Sequence, residues 1–209
     1  MNNYEEKIDK NLFSLIGNIR NPKILELGVQ NGVSTKKFIN LCEKNDGYLY
    51  AVDVEDCSDI SNSQKWKFIH SRDDDFKNIK NQIDSKLDIL YIDSLHESDH
   101  VKKLIYNYYD IINIGGYIFI DDISHLPYLD NPKKSSFYCE INNKETFKML
   151  LEIYYYNQNF FDINFSFNSS GLAIIKKRTH NNLNFSKPLK EREISFKNFF
   201  RKIWMKIKN

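Results

Sequence analysis

The sequence predicts an α/β protein: a doubly wound, mostly parallel sheet of seven strands that ends in an antiparallel hairpin, followed by a C-terminal amphipathic helix. Three observations predict it. Short apolar runs alternate with helix-like stretches over most of the chain. The alternation breaks near residue 160, where two apolar runs are separated only by Asn168-Ser169-Ser170. Beyond Lys176 the charge balance changes abruptly.

Residues 4–20 carry apolar side chains at helical spacing and stop at Arg20-Asn21-Pro22, where proline disfavours a continuing helix. The apolar runs KILELG (23–28), YLYAVDV (48–54), KFIHS (67–71), LDILYID (87–93) and YIFID (117–121) follow. Between them lie amphipathic segments such as STKKFINLCEK (34–44) and HVKKLIYNYYDII (100–112). Strands alternating with helices imply βαβ units, hence a parallel sheet with helices on both faces. NKETFKMLLEIYYY (143–156) reads as a further helix. FFDINFSF (160–167) and GLAIIKK (171–177) then read as the hairpin, whose last strand runs against the others. Residues 123–142 read as a long connection with two prolines and three aromatics; a connection of that length is usually functional, here an acceptor lid of tyrosines, Phe137 and His125.

The chain has 209 residues, enough for one domain with an appendage, here a body over 1–180 and a tail over 181–209. No apolar run is long enough for a membrane span, and the polar start MNNYEEKIDK does not read as a signal peptide. Cys42, Cys57 and Cys139 lack CxxC spacing, which excludes a zinc ribbon and a disulfide scaffold and fits a reducing cytoplasm. From Lys176 onward there are eleven basic residues against two acidic, leaving 19 basic and 26 acidic in the rest, a net of −7. An acidic body of this kind is not expected to bind nucleic acid.

Only seven glycines are present, and Gly28 and Gly32 both fall in the turn after the first strand, E-L-G-V-Q-N-G. Glycine there allows close backbone approach to a ligand, and the helix that follows, with Ser34 in its first turn, offers unpaired N–H groups to an anion. Asp53 ends the second strand, placed to accept hydrogen bonds from a ribose diol. The pattern is ExGxxxG and not GxGxxG, which suits a ligand without a pyrophosphate and favours S-adenosylmethionine over NAD.

ILELGVQNGVST, AVDVED, LDILYIDSLHESDHVKKLIYNYYDIINIGGYIFIDDI and SSGLAIIKK, in this order, resemble a class I S-adenosylmethionine-dependent methyltransferase, Rossmann-like in fold. More narrowly they resemble the macrocin and mycinamicin type of sugar O-methyltransferase, over about residues 20–178. The resemblance implies that Glu26, Gly28 and Gly32 line the methionine end of the cofactor, that Asp53 holds the ribose, and that Ser71 to Asp73 approach the adenine.

Asp93 ends the fourth strand and the pair Asp121-Asp122 the fifth. Neighbouring strand ends stand about 5 Å apart, so three carboxylates would repel unless one keeps a proton or a cation joins them. A hard divalent ion such as Mg²⁺, with oxygen ligands, resolves that conflict, and the resemblance carries its ligands to Asp93, Asp121 and Asp122. His96, three residues after Asp93, is placed as general base toward an acceptor hydroxyl, and the resemblance assigns it the same role. His100 reads as an ordinary helix residue and His125 as a candidate substrate contact. A metal-chelated vicinal diol suits a sugar; a catechol has the same geometry.

In the tail, Phe196, Phe199, Phe200, Ile203, Trp204 and Ile207 form one helical stripe, opposite Lys197, Arg201, Lys202, Lys206 and Lys208. Such a helix suits either an anionic membrane interface, reached through 194–209 on the inner face, or docking on the body or on a second copy in a homo-oligomer. The reading as a whole is a metal-assisted O-methyltransferase of a glycan or small-molecule acceptor. Its alternative is a non-catalytic methyltransferase-like module that anchors a partner at a membrane.

Overall fold

The computed structural model describes residues 3–190 and 195–208. The seven strands are β1 (Lys23–Leu27), β2 (Tyr48–Asp53), β3 (Trp66–His70), β4 (Leu87–Ile92), β5 (Ile112–Asp121), β6 (Phe161–Ser166) and β7 (Leu172–Lys177). They form a single sheet in the order β3-β2-β1-β4-β5-β7-β6. The β1 to β5 pairings are parallel, and β7 pairs antiparallel with both β5 and β6. The order in which strands are added reverses between β1 and β4, so the carboxyl ends of five parallel strands open onto one crevice, where such sheets take their ligands.

The strands were legible because both sheet faces are covered. Leu25, Leu27, Tyr50, Val52, Leu90, Ile92, Ile118 and Ile120 point into one core; the alternate residues Ile24, Leu49, Ala51, Ile89, Tyr91 and Phe119 point into the other. Two-sided burial gives continuous apolar runs and not an alternating pattern, and each fully buried Ile, Leu or Phe stabilises by about 1.5–3 kcal/mol. The first core is closed by α4 (Phe76–Lys80), α5 (Ser98–Tyr108) and α6 (Lys134–Asn157). The second is closed by the N-terminal helical segment and α3 (Val33–Asn45).

Three elements differ from the expectation. The N-terminal segment is α1 (Asn3–Ile8), a π turn (Asp9–Phe13) and α2 (Ser14–Ile16), so it ends before Arg20. Its buried Ile8, Leu12 and Ile16 recur every fourth residue, which anchors it along the sheet. The short α4 carries no long periodic stripe to announce it; Asp75 caps it by accepting from the Asn78 N–H. The expected connection over 123–142 is mostly helix: a 3₁₀ turn (Leu126–Tyr128) is followed by α6, which starts at Lys134. The inward face of α6 is partly polar, with Ser136, Asn142, Asn143 and Thr146 buried beside Met149, Leu150 and Ile153. Without an apolar stripe its first three turns looked like loop. Phe137 and Tyr138 are exposed on this helix and so do not form a loop lid.

After β7 the chain does not leave the body at 180. The Ser186 N–H donates to the Tyr106 hydroxyl at 2.8 Å, and the Asn184 N–H to Asn157 Oδ1 at 2.7 Å, tying 184–186 to α5 and α6. The expected tail then crosses residues 191–194, outside the described residues, and ends in α7 (Phe196–Lys208).

Candidate active site

A cavity of about 860 Å³ opens at the carboxyl edge of β1, β2, β4 and β5, lined among others by Gly28, Ser34, Asp53, Ser71, Asp73, Asp93, His96, Asp121 and Asp122. That size suits a nucleoside-bearing ligand with a small acceptor.

One end is built around Asp53. Its Oδ2 accepts from the backbone N–H groups of Val29 (2.7 Å) and Gln30 (3.0 Å), and its Oδ1 from that of Glu55 (3.0 Å). Partial burial raises the pKa of this carboxyl, but the N–H groups of Glu55, Val29 and Gln30 outweigh it and hold the group below its usual range. Asp53 is therefore a fixed carboxylate, tied to the β1–α3 turn, with Oδ1, which takes one of these three bonds, the less occupied oxygen. Gln30 has φ +49°, a conformation few non-glycine residues adopt, and it aims its N–H at Asp53.

The two turn glycines have packing reasons of their own. A Cβ on Gly28, at φ +96°, would come within 2.1 Å of the Asp93 carbonyl oxygen. Gly28 therefore lets β1 and β4 meet where both ends of the cavity join. Gly32, at φ +69°, starts α3 against the Ile60 side chain and is not part of the cavity wall. Nor is Glu26: it is fully buried, and Ser34 turns its hydroxyl onto Glu26 Oε1 instead of into the cavity. Glu26 Oε2 has no hydrogen-bond partner among the described residues, and desolvation, opposed by Ser34 and Thr35, pushes the Glu26 pKa up to about 8. A cation arriving above it would find an acceptor already in place.

Asp73 also lines the wall, but His100 Nε2 lies 2.8 Å from its Oδ2, and Ser94 donates to the same oxygen. Burial opposes ionisation of Asp73, yet these partners keep its pKa below normal. His100, expected to be an ordinary helix residue, thus orients a cavity carboxylate. Ser71 lines the wall beside it, bonded to Asn78 Nδ2 at 3.1 Å. His125 opens the 3₁₀ turn and is absent from the cavity wall.

The other end is acidic. Ile92 pairs with Ile120, which sets Asp93 beside Asp121. Asp122 follows at φ +58°, a strained conformation of the kind that clusters at functional sites. His96 Nε2 lies 3.6 Å from Asp93 Oδ1 and 3.6 Å from Asp122 Oδ2, so the imidazole stands between the two carboxylates.

Three further side chains, not expected from their positions in the chain, meet there. Lys7, fully buried on α1, forms an ion pair with Asp121, donates to Ser170 Oγ at 2.9 Å and lies 4.0 Å from Asp122 Oδ1. The Tyr4 hydroxyl donates to Asp93 Oδ2 at 2.8 Å. The Tyr91 hydroxyl lies 3.0 Å from both Asp93 Oδ2 and Asp121 Oδ2. Burial first, then the charge of Asp121, pushes the Asp93 pKa far up; Asp121 is also raised, by burial, although Lys7 opposes the shift.

These bonds bear directly on the expected three-carboxylate metal site. Asp121 Oδ1 is taken by Lys7 and by the Asp122 N–H at 2.7 Å, and its Oδ2 faces Tyr91. Asp93 keeps only Oδ1 free of a hydroxyl. Among the described residues no group of three or more His, Cys, Asp or Glu side chains is arranged to hold a metal ion. The expected ligand set does not fit a divalent ion: a lysine already stands in the acidic cluster.

Residues 25–123 match a family described as a methyltransferase domain. Comparison with curated proteins gives no match. Among solved structures, the MycE methyltransferase of the mycinamycin biosynthetic pathway, in complex with Mg and SAH, is similar at 17% identity and TM-score 0.62, over 84% of this chain and 50% of that one. The SAH-bound methyltransferase of Podospora anserina is similar at 12% identity and TM-score 0.60, over 76% of this chain and 72% of that one. The O-methyltransferase of Bacillus cereus, in complex with SAH, is similar at 15% identity and TM-score 0.59, over 84% and 81%. The chain spans about half the length of the MycE structures it matches.

Proposed function

We propose that this chain, a class I methyltransferase in fold, transfers the methyl group of S-adenosylmethionine to a hydroxyl of a sugar, within a glycan or a glycosylated small molecule. The observation that carries this reading is the pairing, in one cavity, of a backbone-held carboxylate suited to a ribose diol (Asp53) with an imidazole set between two carboxylates (His96). The likeness to MycE, and its complex with mycinamycin VI, supports a sugar-bearing acceptor.

In this reading the ribose hydroxyls bond Asp53, the adenine lies toward Ser71 and Asp73, and the methionine end passes Gly28 and Ser34 above buried Glu26. The acceptor hydroxyl approaches His96. His96 takes its proton at Nε2 as the oxygen attacks the sulfonium methyl; the O–CH₃ bond forms, the S–CH₃ bond breaks, and S-adenosylhomocysteine leaves. Asp122, whose Oδ2 lies 3.6 Å from His96 Nε2, stabilises the imidazolium that results. Incubating the full chain with labelled S-adenosylmethionine and a panel of deoxyhexosides, with a catechol in parallel, tests the reading. Label on a sugar hydroxyl, lost in His96→Ala, is expected. Label only on the catechol overturns the sugar class, and no label with either overturns the transferase.

The tail enters as a proposal of its own: α7 lies in an anionic membrane interface. Phe196, Phe199, Phe200, Trp204 and Ile207 are all exposed, and the helix FKNFFRKIWMKIK has no acidic residue to oppose anionic lipid. None of the described helices is long and apolar enough to cross a membrane. Co-sedimentation with phosphatidylglycerol vesicles, lost on deletion of 190–209, is expected. Equal recovery with and without vesicles, or with uncharged phosphatidylcholine alone, contradicts it.

A further inference from the structure

The acidic cluster needs a cation, and the chain supplies one from an element remote in sequence. Lys7 lies 114 residues from Asp121, with its side chain fully buried. Burying an ammonium is expensive unless it is paired and its remaining protons are satisfied. Here Asp121 and Ser170 accept from it, and Asp122 Oδ1 stands 4.0 Å away. Ile8, Leu12 and Ile16 hold the same helical segment against the sheet, so the lysine is delivered by the core and not by a surface rotamer. Tyr4, one turn earlier, closes the second carboxylate from the same side.

We propose that Lys7 is the resident cation of this cluster: its ammonium occupies the place of a divalent metal between Asp121 and Asp122, and methyl transfer at His96 proceeds without one. The metal-free transfer rests on the methyltransferase reading; the occupancy of the site by Lys7 does not. Lys7 is a positioning residue. It fixes Asp121 and places positive charge beside Asp122, leaving Asp122 Oδ2 and Asp93 Oδ1 to face His96. A single positive charge on a flexible stem has no coordination sphere to offer an acceptor, so this site does not select vicinal diols by chelation.

The test is an electron paramagnetic resonance titration of free Mn²⁺ with the full chain as wild type, Asp121→Asn, Lys7→Met and Lys7→Met/Asp121→Asn, alongside calorimetric binding of S-adenosylhomocysteine by the same preparations. Wild type is expected to take up no stoichiometric Mn²⁺, and its transfer rate to be the same in EDTA as in magnesium. Lys7→Met is expected to gain one Mn²⁺ per chain and to lose it again when Asp121→Asn is added. One Mn²⁺ per wild-type chain, abolished by Asp121→Asn alone, overturns the proposal. So does a folded Lys7→Met chain that takes up no Mn²⁺. If Lys7→Met does not fold, the wild-type titration decides between these outcomes. Failure of wild type to bind S-adenosylhomocysteine overturns the methyltransferase reading and leaves the Mn²⁺ result standing.

Discussion

Around Asp53 the cavity wall is local: the groups that hold the carboxylate are backbone N–H groups of Val29, Gln30 and Glu55, from the turns at the ends of two adjacent strands. Around Asp121 it is assembled from afar, with Lys7 and Tyr4 reaching in from the first helix and Ser170 from the β6–β7 turn. The first arrangement fixes one ligand by geometry that any glycine-bearing strand–helix turn can supply. The second stores buried charge that only the complete fold can balance. Cofactor binding should therefore tolerate changes at the acidic end, whereas catalysis and folding should not.

The largest expected effect separates the two ends. His96→Ala should lower kcat by about 10²- to 10⁴-fold, the usual contribution of general base catalysis, and leave S-adenosylhomocysteine affinity within about twofold. A matched loss of affinity would show that the ends are coupled. Next comes the seam. Gly28→Ala drives a Cβ to within 2.1 Å of the Asp93 carbonyl oxygen and should cost several kcal/mol, lowering Tm by about 10 °C in a chain of this size; an unchanged melt would refute the close approach.

A smaller effect is a pH slope at the local end. With its pKa pushed up to about 8, Glu26 stays protonated in the folded chain while the unfolded chain ionises near 4.5. The folded state thus holds the extra proton between those values, and stability falls as pH rises through that window, by up to about 1.4 kcal/mol per pH unit. Urea melts of cofactor-free protein at pH 5.5 and 7.5 should show this loss in wild type relative to Glu26→Gln, and parallel behaviour would contradict it. The smallest effect is at His100. Its removal frees Asp73 from one partner, so His100→Ala should weaken S-adenosylhomocysteine a few-fold without changing kcat, as a binding titration and a rate assay together would show.

The same contrast explains what could be read in advance. All seven strands and the hairpin were legible, because strands buried on both faces leave unbroken apolar runs. Asp53, Asp93, Asp121 and His96 were legible as residues that end strands or follow one closely. The first half of α6 was not, because its inward face uses Ser136, Asn142, Asn143 and Thr146. Lys7 was not, because in EEKIDK it has the look of a solvated lysine and its partner is 114 residues away. Tyr91 sat in a strand as one more apolar residue, though its hydroxyl reaches two carboxylates. The three carboxylates at neighbouring strand ends were read as ligands of a divalent ion; that the Lys7 ammonium stands among them is visible only in the tertiary structure.

The most direct test is calorimetric titration of the wild-type chain and Asp53→Ala with S-adenosylhomocysteine. One site per wild-type chain is expected, weakened about 100-fold in Asp53→Ala, the loss of charge-assisted hydrogen bonds to a diol. Equal binding by both chains, or none by wild type, would contradict the placement of the cofactor at Asp53.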